Sequence, residues 1–311
     1  MNYRNILTFL SIAFGVSWLV IFLLGDQIMS SEGIGSTLGT FTYRWGPALA
    51  AVIVIRRIAK SSVSGLGFTS RDQITGKWFF AGICWSVLLL PLTVLLTYVL
   101  GNLAGVSEIG RMDFNTSRIL GEMTPAGVRT EEIPSYLREM SSGMLLLLTA
   151  FTQFLLGTTL FVAYTYGEEI GWRGFLVQQT KQAGFWASGA IIGITSAVWY
   201  FPIWYVLGGK DIGSILSFSM IGIFYISLSF PLIYFARKSG TLLTPACMQG
   251  IITSLSGTLL LFISGSNSPA AGIMGISGIL ICMLTTGWIA IRDQAFLASY
   301  SQKSYPIQAR S

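Results

Sequence analysis

The segment Gly167-Glu168-Glu169-Ile170-Gly171-Trp172-Arg173 sets two adjacent carboxylates and a guanidinium at the end of a long apolar run. It does so in a chain of 311 residues that contains no histidine. Charges at membrane depth are costly, and by default they mark a site and face inward toward a partner. On a continuing helix Glu169 and Arg173 stand i, i+4 with the acid on the N-terminal side, the better orientation for an ion pair. Glu168 points about a quarter-turn away and is left without that partner. A carboxylate in a water-poor pocket beside a second acid suits general-base work near neutral pH. Glu169 therefore reads as the anchor and Glu168 as the candidate base. The plainer alternative is solvated charges at an interface, which fits a lone glutamate at a helix end. It fits less well two acids and an arginine that run on into Gly174-Phe175-Leu176-Val177.

The elements that must position these groups are membrane helices. The chain is 52% hydrophobic and only 10% charged, where a soluble domain has about 25% charged residues. The spacing of apolar runs predicts an all-α polytopic membrane helical bundle, a single integral membrane domain over 1–311. Eight spans are expected, at about 6–24, 41–56, 78–100, 143–166, 185–207, 213–235, 241–264 and 271–291. The first is read as a retained helix, since no small-residue cleavage site follows it. Stretch 101–142 is the one large hydrophilic insert. Within it, 131–140 reads as a short amphipathic helix at the outer interface. Cys84, Cys247 and Cys282 lie in apolar runs without metal or redox spacing and read as small packers.

The net charge of +6 comes from basic residues scattered between apolar runs. They form no stripe with interleaved aromatics, so the partner implied is the lipid bilayer and not nucleic acid. By the positive-inside rule both termini are expected in the cytoplasm. That assignment puts 13 of the 19 Lys and Arg residues inside. Arg44, Arg111, Arg118, Arg129, Arg138 and Lys210 fall outside, and Glu168 falls at the cytoplasmic end of the fourth span. No internal repeat is visible, which argues against a transporter built from duplicated halves.

The stretch 167–176, Gly-Glu-Glu-Ile-Gly-Trp-Arg-Gly-Phe-Leu, resembles the first motif of the CPBP family of intramembrane endopeptidases. That family includes the type II CAAX prenyl endopeptidases and bacterial Abi proteins. Glu168, Glu169 and Arg173 match its Glu-Glu-x-x-x-Arg, and Gly46-Pro47-Ala48-Leu49-Ala50-Ala51 is similar to a recurrent segment of bacterial members. The resemblance covers most of the chain to about Ser254, with a family-like core at about 143–264. The second motif, an aromatic residue followed by histidine four positions on, falls on Ser196 and Tyr200. The third, His-x-x-x-Asn or Asp, falls on Gln249 and Thr253. Both motif histidines are thus replaced.

The resemblance implies a site in which the first glutamate and the histidines activate water or hold a metal that does so, with the third motif supporting the oxyanion. Zinc is the metal so implied, but its imidazole ligands are missing, and no cofactor is expected. Loss of a positioned proton-transfer group costs about 100- to 10,000-fold in rate. The replacements keep polar faces, because Ser196 with Tyr200 and Gln249 with Thr253 are i, i+4 pairs. Tyr200 could donate to a carboxylate and Gln249 could orient a carbonyl. Equally, Tyr200 could belong to an aromatic belt with Trp199, Phe201, Trp204 and Tyr205, and Gln249 and Thr253 could glue helices together. The candidate site is therefore Glu168, Glu169, Arg173, Tyr200, Gln249 and Thr253. The function expected is that of a CAAX-type endopeptidase homologue with reduced or no activity, acting at a plasma membrane by binding a membrane protein or lipidated peptide, as a scaffold or in an immunity-like role. The alternatives are an active glutamate-dependent endopeptidase and a membrane transporter.

Overall fold

The computed structural model describes residues 3–29, 33–60, 66, 76–123, 134–207, 212–266 and 269–302. It is an all-α membrane bundle. Helices α1 (Tyr3–Met29), α2 (Gly33–Ile53) and α3 (Gly76–Thr97) open the chain. Short helices α4 (Thr116–Met123) and α5 (Ser135–Arg138) follow in the hydrophilic insert. Then come α6 (Ser142–Thr158), α7 (Leu160–Glu169), a π-helical segment Ile170–Leu176 and α8 (Val177–Thr180). The last part holds α9 (Gly184–Leu207), α10 (Ile212–Ser239), α11 (Leu243–Leu260), α12 (Ile276–Arg292) and α13 (Gln294–Ser299).

Each of the eight expected ranges overlaps a helix. Among the described residues five helical runs are long and apolar enough to cross a membrane, while Ser142–Thr158 and Ile276–Arg292 are shorter apolar helices. Two boundaries depart from the sequence reading in ways that move the site. The second helix starts at Gly33 and continues through a π-helical turn, Val54–Ile58, so Arg44 lies well inside it and not at an outer end. The fourth breaks at Thr159 and then runs on as helix to Thr180. Glu168 is therefore twelve residues from the end of that path and not at its tip. The chain then turns at Gly184, whose φ of 88° is open to glycine and strained for other residues.

Helix α11 is the centre of the bundle, buried along most of its length and packed on α3, α6, α7 and α10. Its contact with α6 is tight because Gly157 meets Gly250: a Cβ on Gly250 would lie 2.4 Å from the Gly157 carbonyl oxygen. Such small-residue contacts let backbones approach where no hydrophobic gain between helices is available in lipid. Hydroxyls then tie the backbones, with Ser254 Oγ donating to the Gln153 carbonyl and Thr165 Oγ1 to the Ala246 carbonyl, each at 2.7 Å.

The described residues of the insert are tied to the bundle. Arg111–Met112 (β1) pairs antiparallel with Ile263–Ser264 (β2), Met112 opposite Ile263. Arg118 reinforces the join, bonding Asp113 Oδ2 at 2.8 Å and the Leu261 carbonyl at 2.9 Å. Of the expected interfacial helix only the single turn Ser135–Arg138 is helical, and residues 131–133 lie outside the described residues. Cys247 and Cys282 are buried packers as expected, but Cys84 is exposed.

Candidate active site

Glu168 is fully buried where α2, α7, α9 and α11 meet. Two glycines one helical turn apart on the α7 path bring α2 there. A Cβ on Gly167 would stand 2.7 Å from the Trp45 ring, and one on Gly171 would stand 2.3 Å from Pro47 Cβ. With nothing at those positions α2 rests on the backbone itself, and Trp45 Nε1 donates to the Ala163 carbonyl at 2.9 Å. Arg44 is thereby carried to Glu168.

Arg44 Nη1 lies 2.8 Å from Glu168 Oε1. The other carboxylate oxygen, Oε2, accepts from the Tyr200 hydroxyl at 2.7 Å and from Gln249 Nε2 at 2.6 Å. Gln249 Nε2 also lies 3.1 Å from the Tyr200 hydroxyl oxygen, which closes the three groups into one network. The Arg44 guanidinium carbon sits 5.9 Å from the Tyr200 ring centroid, so the cation also meets the π-face. Tyr225 stacks on Tyr200 from α10, with ring centroids 4.4 Å apart.

The frame is held from the other side as well. Tyr43, next to Arg44, stacks on Trp199 at 4.3 Å, and its hydroxyl donates to the Trp199 carbonyl at 2.8 Å. That carbonyl also accepts from Trp18 Nε1 at 3.1 Å. It lies three residues before Pro202, where a ring without an N–H loosens the helical ladder.

Glu169 and Arg173 form the expected i, i+4 pair, Arg173 Nη1 to Glu169 Oε1 at 2.9 Å, with both side chains buried. The pair runs into the π-helical segment, a widened turn that often accompanies functional sites. Glu169 Oε2 and Arg173 Nε have no hydrogen-bond partner among the described residues. The cluster is thus one buried ion pair and one nearly buried pair, of zero net charge, as placement inside a membrane bundle demands.

Of the expected residues, the geometry joins Glu168, Tyr200 and Gln249 directly, with Glu169 and Arg173 as a second pair beside them. Thr253 and Ser196 do not join. Their hydroxyl oxygens are buried and make no hydrogen bond among the described residues. Tyr200 is only 3% exposed, so it is not part of a lipid-facing belt. Arg44 is the residue the sequence reading assigned elsewhere. The positive-inside rule puts it on the outer side, away from Glu168, whereas in the structure it is the partner of Glu168. The available signal was a lone cation inside an apolar run next to Gly46-Pro47, since a charge at that depth requires a counter-ion.

Comparison with known families fixes the wider setting. Residues 148–255 match the type II CAAX prenyl endopeptidase Rce1-like family. This Rce1-like stretch carries Glu168, Glu169, Arg173, Tyr200 and Gln249, and it leaves Arg44 outside. No curated protein matches the chain. The chain accordingly carries, at residues 148–255, an Rce1-like domain similar to that of the type II CAAX prenyl endopeptidases.

Proposed function

We propose that this protein is a CAAX-protease-like membrane protein with little or no peptidase activity, which acts by holding a membrane protein or a lipidated peptide. One observation carries the reading: both oxygens of Glu168 are engaged, by Arg44, Tyr200 and Gln249, at 2.6–2.8 Å. Hydrolysis of a peptide needs a group that takes a proton from water and another that delivers one to the leaving amine. A guanidinium stays charged in proteins, an amide does not titrate, and a neutral phenol holds its proton near pH 7. Glu168 is neutralised in place and has no relay beside it.

Zinc, the metal the resemblance implies, does not fit this donor set. Zinc takes imidazole, thiolate or carboxylate ligands. Here an ion on Glu168 would face a fixed guanidinium and an amide nitrogen, and among the described residues no three His, Cys, Asp or Glu side chains gather. We also place the protein in a plasma membrane with both termini cytoplasmic. The distribution of basic residues supports this orientation, and it strengthens once Arg44 is removed from the outer set.

The test is a reconstituted protein offered a panel of prenylated and transmembrane peptides at high protein concentration. We expect no fragments, and no difference between wild type and Glu168→Gln. Cleavage that disappears in Glu168→Gln would overturn the reading in favour of a glutamate-dependent endopeptidase. Crosslinking in native membranes should capture a partner that Glu168→Gln still holds.

A further inference from the structure

Away from the buried cluster, α3, α10 and α12 enclose a lateral groove of about 680 Å³. Its walls include Trp78, Trp85, Leu92, Leu96, Tyr234 and Trp288. From Trp78 to Leu96 the groove follows 18 residues of helix, about 27 Å at 1.5 Å per residue and close to the apolar thickness of a bilayer. An apolar trough on a membrane protein is covered by whatever lipid or helix fits it, so the groove alone names no occupant. The charges at its mouth do.

Trp78 forms one end of the groove, and two ammonium groups flank its ring. Lys238 Nζ lies 4.9 Å from the indole centroid and Lys77 Nζ lies 6.0 Å from it. Lys238 is paired with Asp293 at 2.5 Å, and that carboxylate also accepts from the Tyr234 hydroxyl at 3.0 Å. Lys77 is exposed and has no carboxylate partner among the described residues, and the same holds for Arg292, the exposed last residue of α12. One acid, Asp293, therefore stands among four basic residues, Lys77, Arg237, Lys238 and Arg292, where the ends of α3, α10 and α12 come together. Basic pockets between membrane helices bind anionic lipid headgroups, and tryptophan with snorkelling lysine is the usual furniture of that interface.

We infer that this groove is a binding site for an anionic phospholipid, with an acyl chain along Trp85, Leu92 and Leu96 and the headgroup phosphate between Lys77 and Arg292. The headgroup supplies the missing negative charge. A zwitterionic lipid brings its own cation to a mouth that already has a surplus, and a free phosphate leaves the trough unfilled. The groove is distinct from the Glu168 cluster and requires no chemistry there.

The groove contains its own reporters in Trp78, Trp85 and Trp288. Full-length protein is reconstituted into phosphatidylcholine vesicles in which either phosphatidylglycerol or phosphatidylcholine carries dibrominated acyl chains, which quench tryptophan on contact. At equal mole fraction, brominated phosphatidylglycerol should quench more than brominated phosphatidylcholine. Lys77→Gln should lower the apparent affinity for it about fivefold, the factor expected for one basic residue near an anionic surface. Lys77→Arg should keep the preference, and inorganic phosphate at millimolar concentration should leave it unchanged. Equal quenching by both lipids, an undiminished preference in Lys77→Gln, or loss of the preference on adding phosphate would each overturn the assignment.

Discussion

Arg44 in α2 and Glu168 in α7 are separated by 124 positions in the chain and by 2.8 Å in space. Glu168 is fully buried and Arg44 nearly so, and each is the reason the other can be held inside the bundle. Removing one partner of such a pair leaves an uncompensated charge, which costs about 3–5 kcal/mol. Arg44→Ala should therefore destabilise the protein by about that amount, read from unfolding in detergent. Arg44→Met combined with Glu168→Leu should recover only part of the loss, because it removes both charges but takes the shared acceptor from Tyr200 and Gln249.

Tyr200 and Gln249 reach the same oxygen of Glu168, at 2.7 and 2.6 Å. They occupy the two places where the family resemblance puts histidine, so imidazoles there should share a ligand sphere with the carboxylate. Tyr200→His with Gln249→His, made in an Arg44→Met background to remove the competing cation, should bind zinc stoichiometrically. Wild type should bind none. Metal analysis after chelator treatment decides both points.

Hydrogen bonds to a charged group contribute about 1.5–3 kcal/mol each. Tyr200→Phe keeps the stacking on Tyr225 and removes one such bond, so it should destabilise by an amount in that range. Ser196→Ala and Thr253→Ala, at hydroxyls that join no hydrogen bond among the described residues, should be close to neutral. Comparing the four unfolding midpoints separates network members from mere sequence neighbours.

Gly171 is where α2 rests on the helix that carries Glu168. A methyl group there would meet Pro47 at 2.3 Å. Overpacking of this kind costs about 1–3 kcal/mol, and here it would also lift Arg44 off its partner. Gly171→Ala should lose more stability in an Arg44-containing protein than in the Arg44→Met, Glu168→Leu background, a coupling that a double-mutant cycle measures.

Acid should weaken the hydrophilic insert at Asp113. The Asn115 backbone N–H holds Asp113 below the ordinary aspartate value of 3.8, with Arg118 assisting and partial burial working the other way. A depressed folded value means that the stabilisation is complete above 3.8 and is lost as the pH falls through the lowered value. The stability difference between wild type and Asp113→Asn should therefore shrink below about pH 4, as followed by unfolding across pH 3–7.

What was legible in the sequence followed from local rules. Apolar runs placed a helix in every expected range, and the i, i+4 spacing of Glu169 and Arg173 gave a contact that the structure contains. What was not legible depended on where helices end. Taking the second span to begin at residue 41 put Arg44 near water, where an arginine needs no partner. Starting it at Gly33 puts the same residue deep in the bundle. The continuation of the fourth helix through a π-turn was equally invisible, since no residue type marks one. Counting motif spacing singled out Tyr200 and Gln249, which the structure joins to Glu168, but it could not tell them from Ser196 and Thr253 on the same faces. Only the packing of α9 and α11 does that.

The β1–β2 join also sets a clock. Its two strands, Arg111–Met112 and Ile263–Ser264, flank the Rce1-like stretch on both sides, and about 150 residues are made between them. At about 5–20 residues per second, β1 leaves the ribosome roughly 8–30 s before its partner exists. Through that interval the insert waits unpaired while α6 to α11 enter the membrane. The ladder then closes only on a chain whose central helix has already been made, so a completed join reports that α6 to α11 are in place while α12 is still to follow.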